Sequence, residues 1–398
     1  MHKKIRIAMV TAHPPSKSSL NEYAYHFVRF LRQKPEVSEL FLLVDHLPTG
    51  ENYDAVEDAS TEGVPVKAIS CWEFNSLQNP TKILKQVRKI NPDIVLFNIQ
   101  FASFGDKKIA ATLGLLTPMI LKMAGFKSVV LLHNIMETVD LRSAGFNQNP
   151  IVEKIIRLAG TITTRFILMA DMVALTIPKY VEILEKKYGT PNVVLAPHGS
   201  FEDSVELPSF DLPDGPMQIM TFGKFGTYKK VEPLVEAFEM LADNGRSQLE
   251  LVIAGSNSPN APQYLETVEE TYTHVPNIRF TGYVAEEDVP KIFSEAAVVV
   301  FPYTSTTGSS GVLHQAGDYG KPAVLPNIGD FAEVIQEEGY DGEFFEPNDP
   351  QSLAKAIANI IDNHQHRQEL GMKNFLASKG LPISDVVDWY LLHMMTLI

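Results

Sequence analysis

An α/β protein of two domains, each a doubly wound parallel sheet, is predicted by three features of the sequence. The chain has 398 residues, more than one hydrophobic core ordinarily organises. Short apolar runs alternate with helical stretches in two successive series, the rhythm of parallel strands joined by crossover helices. Between the series, residues 200 to 216 (SFEDSVELPSFDLPDGP) are acidic, proline-rich and without period, so they read as a linker.

The first series opens with KIRIAMVTAHPP, a buried strand running into a proline-marked loop, and continues with a helix from about Leu20 to Gln33. A strand follows at Leu40 to Asp45, and further β runs recur at Val64 to Ile69, Asp93 to Asn98, Lys127 to His133, Asp171 to Thr176 and Asn192 to Ala196. Two helical segments, Asp106 to Met123 and Ile151 to Met169, are apolar with interspersed lysine and arginine; Pro118 interrupts the first. Such helices lie on an anionic membrane or simply pack on the sheet, and the pattern alone allows both. The second series runs MQIMTF from Met217, LELVIA from Leu249, NIRFTG from Asn277, AAVVVFPY from Ala296 to Tyr303 and AVLP from Ala323. The run at Ala296 is too apolar for an edge strand and suits a parallel strand buried on both faces. A last helix, Ser384 to about Thr396, is expected to open on Ser384 as its N-cap. The expected boundaries are residues 1–205, residues 206–383, and a helix at 384–398 that returns to the first domain.

Composition narrows the function classes. A hydrophobic fraction of 45% with 21% charged residues is that of a soluble globular protein. The single cysteine, Cys71, makes no internal disulfide, no secretory signal stands out, and no stretch reads as a membrane span. Net charge of −14 argues against nucleic acid as the main partner. Residues 1 to 200 carry 23 Lys and Arg against 18 Asp and Glu, while the remainder carries 11 against 30. That asymmetry marks an anionic partner on one side or merely drift of surface charge.

In open α/β sheets ligands sit beyond the carboxyl ends of the strands. This directs attention to the loops after Thr11, Leu132, Phe222 and Tyr303. The last of these, Thr306 to Gly311, supplies two glycines just before helical residues resume; a helix entered in this way offers N–H groups to an anion, or the loop is an ordinary strand-to-helix turn. After Phe222, GKFGTYKK places Gly223, Lys224, Lys229 and Lys230 at the mouth of a buried strand, where lysines neutralise a diphosphate or are merely solvated. Tyr228, Tyr283 and Tyr319 are candidates to stack on a base or sugar, with packing the alternative for each.

The run GKFGTYKK followed by PLVEAF resembles the Gly-Arg-Leu…Lys-Gly signature of family 4 retaining glycosyltransferases. LELVIAGSNSP and VPNIRFTGYVAEEDVPKIFSEAAVVVFPY are similar to the middle segment of that family, and AHPP, HNIMET, ADMVALT and VVLAPHGSFED follow its order more loosely in the first half. The resemblance implies the GT-B fold, two Rossmann-like domains facing across a cleft. It implies transfer, with retained configuration and without a metal or other cofactor, of a sugar from a UDP- or GDP-sugar to a hydroxyl acceptor. On that reading Lys224 and Lys229, beside Gly223, hold the donor diphosphate. The backbone N–H groups of Gly308, Ser309, Ser310 and Gly311 cap its distal phosphate, and His133 lies near the reacting carbon. In the family the departing phosphate helps to deprotonate the acceptor hydroxyl on the same face.

Departures from the family pattern stand beside the matches. Gln315 falls where a Glu usually bonds the ribose, Thr307 where its paired Glu contacts the donor sugar, and SSLNE replaces paired glycines near Ser19 and Leu20. A neutral partner in place of a charged one loses on the order of tenfold in binding. Thr307, two carbons shorter than Glu, does not reach the same hydroxyl. His133, His198 and His314 each have a structural alternative, the last two on the acceptor side or in packing. Besides transfer, two readings stay open: a nucleotide-binding GT-B protein without turnover, and a phosphorylase or epimerase on the same fold. The basic first half points to an acceptor that is anionic or lipid-linked. Expected residence is cytoplasmic, with peripheral attachment to the inner membrane face through the first domain.

Overall fold

A computed structural model of the protein describes residues 4–18, 20–58, 62–138, 150–201, 207–243, 248–258, 261–305 and 310–398. The chain divides into two compact units. One comprises Met1–Val139, Asn149–His198 and Ile383–Ile398; the other comprises Asp140–Gln148 and Gly199–Pro382.

Among the described residues the first unit builds one parallel sheet from β1 (Ile5–Val10), β2 (Val37–Asp45), β3 (Val66–Trp72), β4 (Ile94–Ile99), β5 (Ser128–Leu132), β6 (Met172–Leu175) and β7 (Val193–Leu195). Its order is β3-β2-β1-β4-β5-β6-β7, so the chain winds one way from β1 and then reverses at the β1–β4 pair. The crossovers are α1 (Asn21–Leu31), α2 (Asp54–Asp58), α3 (Asn79–Ile90), α4 (Lys108–Leu115), α5 (Thr117–Met123), α6 (Pro150–Ile167) and α7 (Pro178–Tyr188). Every residue of β4 and β5 is buried, the state expected of central parallel strands covered on both faces. Helix ends follow local chemistry. Pro80 opens α3 and Asn91, in the left-handed region at φ 50°, closes it by returning its N–H to the Val87 carbonyl. Pro118 ends α4 and begins α5, so the apolar stretch is two short helices.

The second unit repeats the plan with β8 (Met217–Phe225), β9 (Leu249–Asn257), β10 (Ile278–Gly282), β11 (Ala296–Val300), β12 (Ala323–Pro326) and β13 (Gly342–Phe345), ordered β10-β9-β8-β11-β12-β13. Its helices are α8 (Glu232–Asp243), α9 (Tyr264–Thr271), α10 (Val289–Glu295), α11 (Gly311–Asp318), α12 (Gly329–Glu337), α13 (Pro350–Ile361) and α14 (His364–Lys379). Two apolar layers fill the faces of this sheet. One centres on Leu234, Phe238, Ile253 and Ile357, the other on Val299, Phe301, Phe293 and Leu313.

Two expectations about elements are corrected, and one strand was not anticipated. The strand at Ala296 stops at Val300 because Pro302 has no N–H to continue the ladder, and Tyr303 keeps only an isolated antiparallel bridge to Lys229. β13, only four residues of GEFF and mostly half-buried, had no alternation to announce it. The final helix, α15 (Ile383–Thr396), opens one residue early on buried Ile383 after Pro382, which puts Ser384 inside its first turn. α15 belongs to the first unit, where Tyr390 meets Phe27 of α1 edge-on at 5.4 Å and Lys34 pairs with Asp388 at 2.6 Å. Within the linker, 202–206 lie outside the described residues. Its start is anchored: Ser200 donates its N–H to the Leu381 carbonyl at 2.9 Å and its hydroxyl to the Ser378 carbonyl at 2.6 Å. Among the described residues no helix is long and apolar enough to cross a membrane.

Candidate functional site

In the second unit the site is built on two glycines in register at the carboxyl ends of β8 and β9, Gly223 opposite Gly255. Their φ angles of 140° and 133° are ones that side-chain-bearing residues rarely adopt. A Cβ on Gly255 would stand 1.9 Å from the Gly223 carbonyl oxygen, and a Cβ on Gly223 would stand 2.5 Å from Lys229 Nζ. Gly223 is therefore the seat of Lys229, whose ammonium occupies the space a side chain would fill.

Lys229 is only 8% exposed. Its Nζ lies 3.5 Å from the Phe222 carbonyl, 4.9 Å from the Tyr303 ring centroid and 5.9 Å from that of Tyr228. Backbone bonds lace its loop to the chain leaving β11. Lys230 N–H donates to the Pro302 carbonyl at 3.0 Å, Thr304 N–H to the Tyr228 carbonyl at 2.8 Å, and Gly226 N–H to the Lys229 carbonyl at 3.0 Å. Tyr303 then joins the two halves of the site, its hydroxyl lying 3.1 Å from Ser310 Oγ. Burial raises the Tyr303 hydroxyl pKa while neighbouring Lys229 lowers it, so the phenol stays protonated.

Ser310 has extended backbone, φ −107° and ψ 107°, and α11 begins at the next residue, Gly311. Its carbonyl accepts from Leu313 N–H at 2.8 Å and from His314 N–H at 3.3 Å, closing a tight first turn. Helix geometry directs the earliest N–H groups away from any intrahelical acceptor and leaves them for an anion. Gln315, one turn on, is 5% exposed. Lys224 is half-buried on β8, in register with Ser256. Thr307, Gly308 and Ser309 lie outside the described residues. Thus Gly223, Lys229 and Ser310 are brought together around Tyr303, which sequence reasoning did not select. No spacing rule links Tyr303 to Lys229, because their contact is made across the sheet.

His314 is committed elsewhere: buried, with Nδ1 2.8 Å from the Tyr340 hydroxyl and Nε2 3.6 Å from Glu338. Tyr319 stacks on Phe293 at 5.5 Å in the core, whereas Tyr283 is 62% exposed. Tyr228 meets Tyr303 edge-on at 5.4 Å.

The first unit carries its own polar cluster at adjacent strand ends. Because β1, β4 and β5 are neighbours, Thr11, Asn98 and His133 emerge side by side. Asn98 Nδ2 donates to Thr11 Oγ1 at 3.0 Å and to the Leu20 carbonyl at 3.4 Å. Its Oδ1 therefore accepts from His133 Nε2–H at 2.7 Å. The imidazole is thereby fixed as the Nε2–H tautomer, with Nδ1 as the lone-pair nitrogen. Tyr23 lies edge-on to both His133 (4.8 Å) and His198 (4.7 Å), and the two imidazoles are 5.9 Å apart. Desolvation first, and the nearby His198 second, hold His133 well below its ordinary pKa of 6.5. His13 is also lowered by burial, partly offset by its bond to the Pro14 carbonyl.

Both histidines tie stability to pH. A base whose folded pKa is depressed binds fewer protons than in the unfolded chain below pH 6.5. Stability present above that value is lost as the pH falls toward the folded pKa. Urea unfolding between about pH 7.5 and pH 5 is expected to show a falling midpoint, with a shallower fall in His133→Gln. Parallel slopes for the two proteins would remove His133 as a source of the effect.

Residues 216–363 match the family model described as Glycosyl transferases group 1. The O-antigen chain mannosyltransferase C of Escherichia coli is 26% identical over 226 residues, covering 55% of this chain and 58% of that enzyme. The chain thus spans little more than half the length of this relative, and 39% and 57% of two further curated relatives. Among solved structures, sucrose-phosphate synthase from Thermosynechococcus elongatus superposes with a TM-score of 0.75 at 17% identity, covering 98% of each chain. Anabaena Alr3699/HepE in complex with UDP-glucose superposes with a TM-score of 0.69 at 14% identity, covering 98% of this chain and 100% of that one. The two parallel sheets are those of the GT-B fold, and the region matched by the family model, residues 216–363, falls within the second unit.

Proposed function

We propose that the protein is a retaining glycosyltransferase that moves a sugar from a nucleoside-diphosphate sugar to a hydroxyl acceptor without a metal ion. The observation that carries this reading is Lys229 seated over Gly223 and joined through Tyr303 to the N-cap of α11. A cation and a helix N-terminus at neighbouring strand ends suit a diphosphate, whose charge grows as its bond to the sugar breaks. In the proposed reaction the C1–O(phosphate) bond breaks and the C1–O(acceptor) bond forms on the same face. The acceptor proton passes to the departing diphosphate. Lys224 and the N–H groups of residues 308–311 complete the phosphate contacts, His133 serves the sugar, and the donor belongs to the second unit with the acceptor on the first.

The likeness to an O-antigen chain mannosyltransferase supports a glycan acceptor. The UDP-glucose complex of a structural neighbour supports a nucleoside-diphosphate-sugar donor, which we propose is a UDP- or GDP-sugar. We propose further that the acceptor is anionic or lipid-linked and that the protein is a cytoplasmic one attached peripherally to the membrane. The test is a panel of UDP-, GDP- and ADP-sugars, read by thermal shift and by slow donor hydrolysis in the presence of EDTA. A donor at about 100 times its Kd adds about 2.7 kcal/mol of stability. Neither stabilisation nor hydrolysis with any of them would sink the proposal.

A binder without turnover is the second reading, favoured by the neutral Gln315 and by Thr307. Stabilisation by donor with no hydrolysis and no transfer to any glycan would select it.

A further inference from the structure

The first unit carries an apolar stripe that its own fold leaves uncovered. α6 buries Ile156, Thr163, Thr164 and Ile167, which suffices to dock a helix on its neighbours. It also presents Ile155, Leu158 and Ile162, spaced three and four apart and hence on one line, with exposures of 60%, 61% and 45%. Helices α4 and α5 pack against α6 and add Ile109 and Met123, the two most exposed large apolar side chains among the described residues of this unit at 71% and 76%. Lys122 and Lys127 reach Asp171 at 3.5 and 3.7 Å, which holds the end of α5 beside the turn that follows α6, where Met169 is 43% exposed.

The charge around this stripe is mostly positive, with Asp171 and Glu153 each paired to a cation. From residue 107 to residue 127 there are four lysines and no carboxylate. On α6, Lys154 and Arg165 adjoin the stripe, and the single carboxylate, Glu153, is taken by Arg157 at 3.0 Å. In a chain of net charge −14 this is a local reversal. An aliphatic line without Trp or Tyr anchors differs from a protein hot spot. Rimmed by cations, it fits an interfacial helix, whose aliphatic side chains enter the acyl boundary while lysine and arginine stems carry their charges up to phosphates.

We infer that the α4–α6 face of the first unit docks on an anionic phospholipid bilayer, with Ile155, Leu158 and Ile162 in the acyl boundary and Lys154 and Arg165 at lipid phosphates. This rests on the peripheral attachment proposed above and assigns it a surface. The helices lie in the interface plane and do not cross it.

Co-sedimentation of the full chain with two vesicle types tests this: phosphatidylcholine alone, and phosphatidylcholine mixed with phosphatidylglycerol. The protein is expected to pellet with the mixed vesicles and not with the neutral ones, less so as salt is raised. Ile155→Ser/Leu158→Ser/Ile162→Ser, which removes the buried aliphatic line, and Lys154→Glu/Arg165→Glu, which reverses the phosphate-facing charge, should each bind at least about tenfold more weakly. Both variants alter exposed side chains, and unchanged thermal melts would show that they fold. Equal pelleting with the two vesicle types, pelleting with neither, or undiminished binding by both variants overturns the assignment. So does a concentration-dependent dimer abolished by the serine variant without any vesicle binding, which would make the face a contact between copies. No sugar donor enters the assay, so its failure leaves the transfer reading intact, and failed transfer leaves this one intact.

Discussion

Lys229→Ala is expected to lower kcat for the proposed sugar transfer by about 10²- to 10³-fold, the usual consequence of removing one preorganised group that stabilises developing negative charge. Two magnitudes separate this from a loss of folding. Lys229 Nζ faces the Tyr303 ring at 4.9 Å, a contact that contributes about 0.5 to 2 kcal/mol. The variant should therefore melt modestly lower yet remain folded at assay temperature, while its rate falls by the equivalent of about 3 to 4 kcal/mol. Some of the effect should also appear in KM, because the ground-state diphosphate already carries charge. Gly223→Ala provides a check that leaves the lysine in the sequence. Its Cβ would stand 2.5 Å from Nζ, so the ammonium must leave its seat, and kcat should fall in the same direction. Steady-state kinetics with matched thermal melts decide the matter. A kcat for Lys229→Ala close to that of the parent would take Lys229 out of the reaction.

The fold was legible where burial dictated composition. The runs that became β4, β5 and β11 are nearly continuous apolar stretches because a central parallel strand has no solvent face. β13 was illegible because four half-buried residues carry too little pattern to distinguish a strand from a loop. In the site, Gly223 was legible as a glycine before lysines, but its physical reason was not. That reason is a φ of 140° combined with an ammonium in the place of its Cβ, which depends on how the loop returns over the strand. Tyr303 escaped notice because its bridge to Lys229 joins residues more than seventy positions apart. Asn98 and Thr11 are ordinary polar residues at strand ends, and they acquire meaning only once the order β1-β4-β5 sets them beside His133.

The Asn98–His133 bond leads to the second large effect, expected in Asn98→Asp. Asn98 now accepts from His133 Nε2–H as a neutral group, and desolvation keeps the imidazole uncharged. A carboxylate at the same 2.7 Å would favour the imidazolium and so raise the His133 pKa. If neutral His133 serves the donor sugar, the acid limb of kcat/KM must move to higher pH by the same amount. At a pH between the old and new values, activity would then fall by about 10- to 10³-fold, with recovery as the pH rises. Stability should respond with the opposite sign. Raising the folded pKa toward or above the unfolded one removes the drive to unfold that protonation supplies in the parent, so the variant loses less stability on acidification. It also loses the Nδ2 bonds to Thr11 and Leu20, which sets a lower stability at neutral pH by about 1 to 3 kcal/mol. A purely structural role for Asn98 would produce that last loss alone, with an unmoved pH profile. The joint outcome, an acid limb displaced upward together with a flatter acid-stability curve, belongs to a histidine whose neutral form the strand ends of the first unit are built to keep.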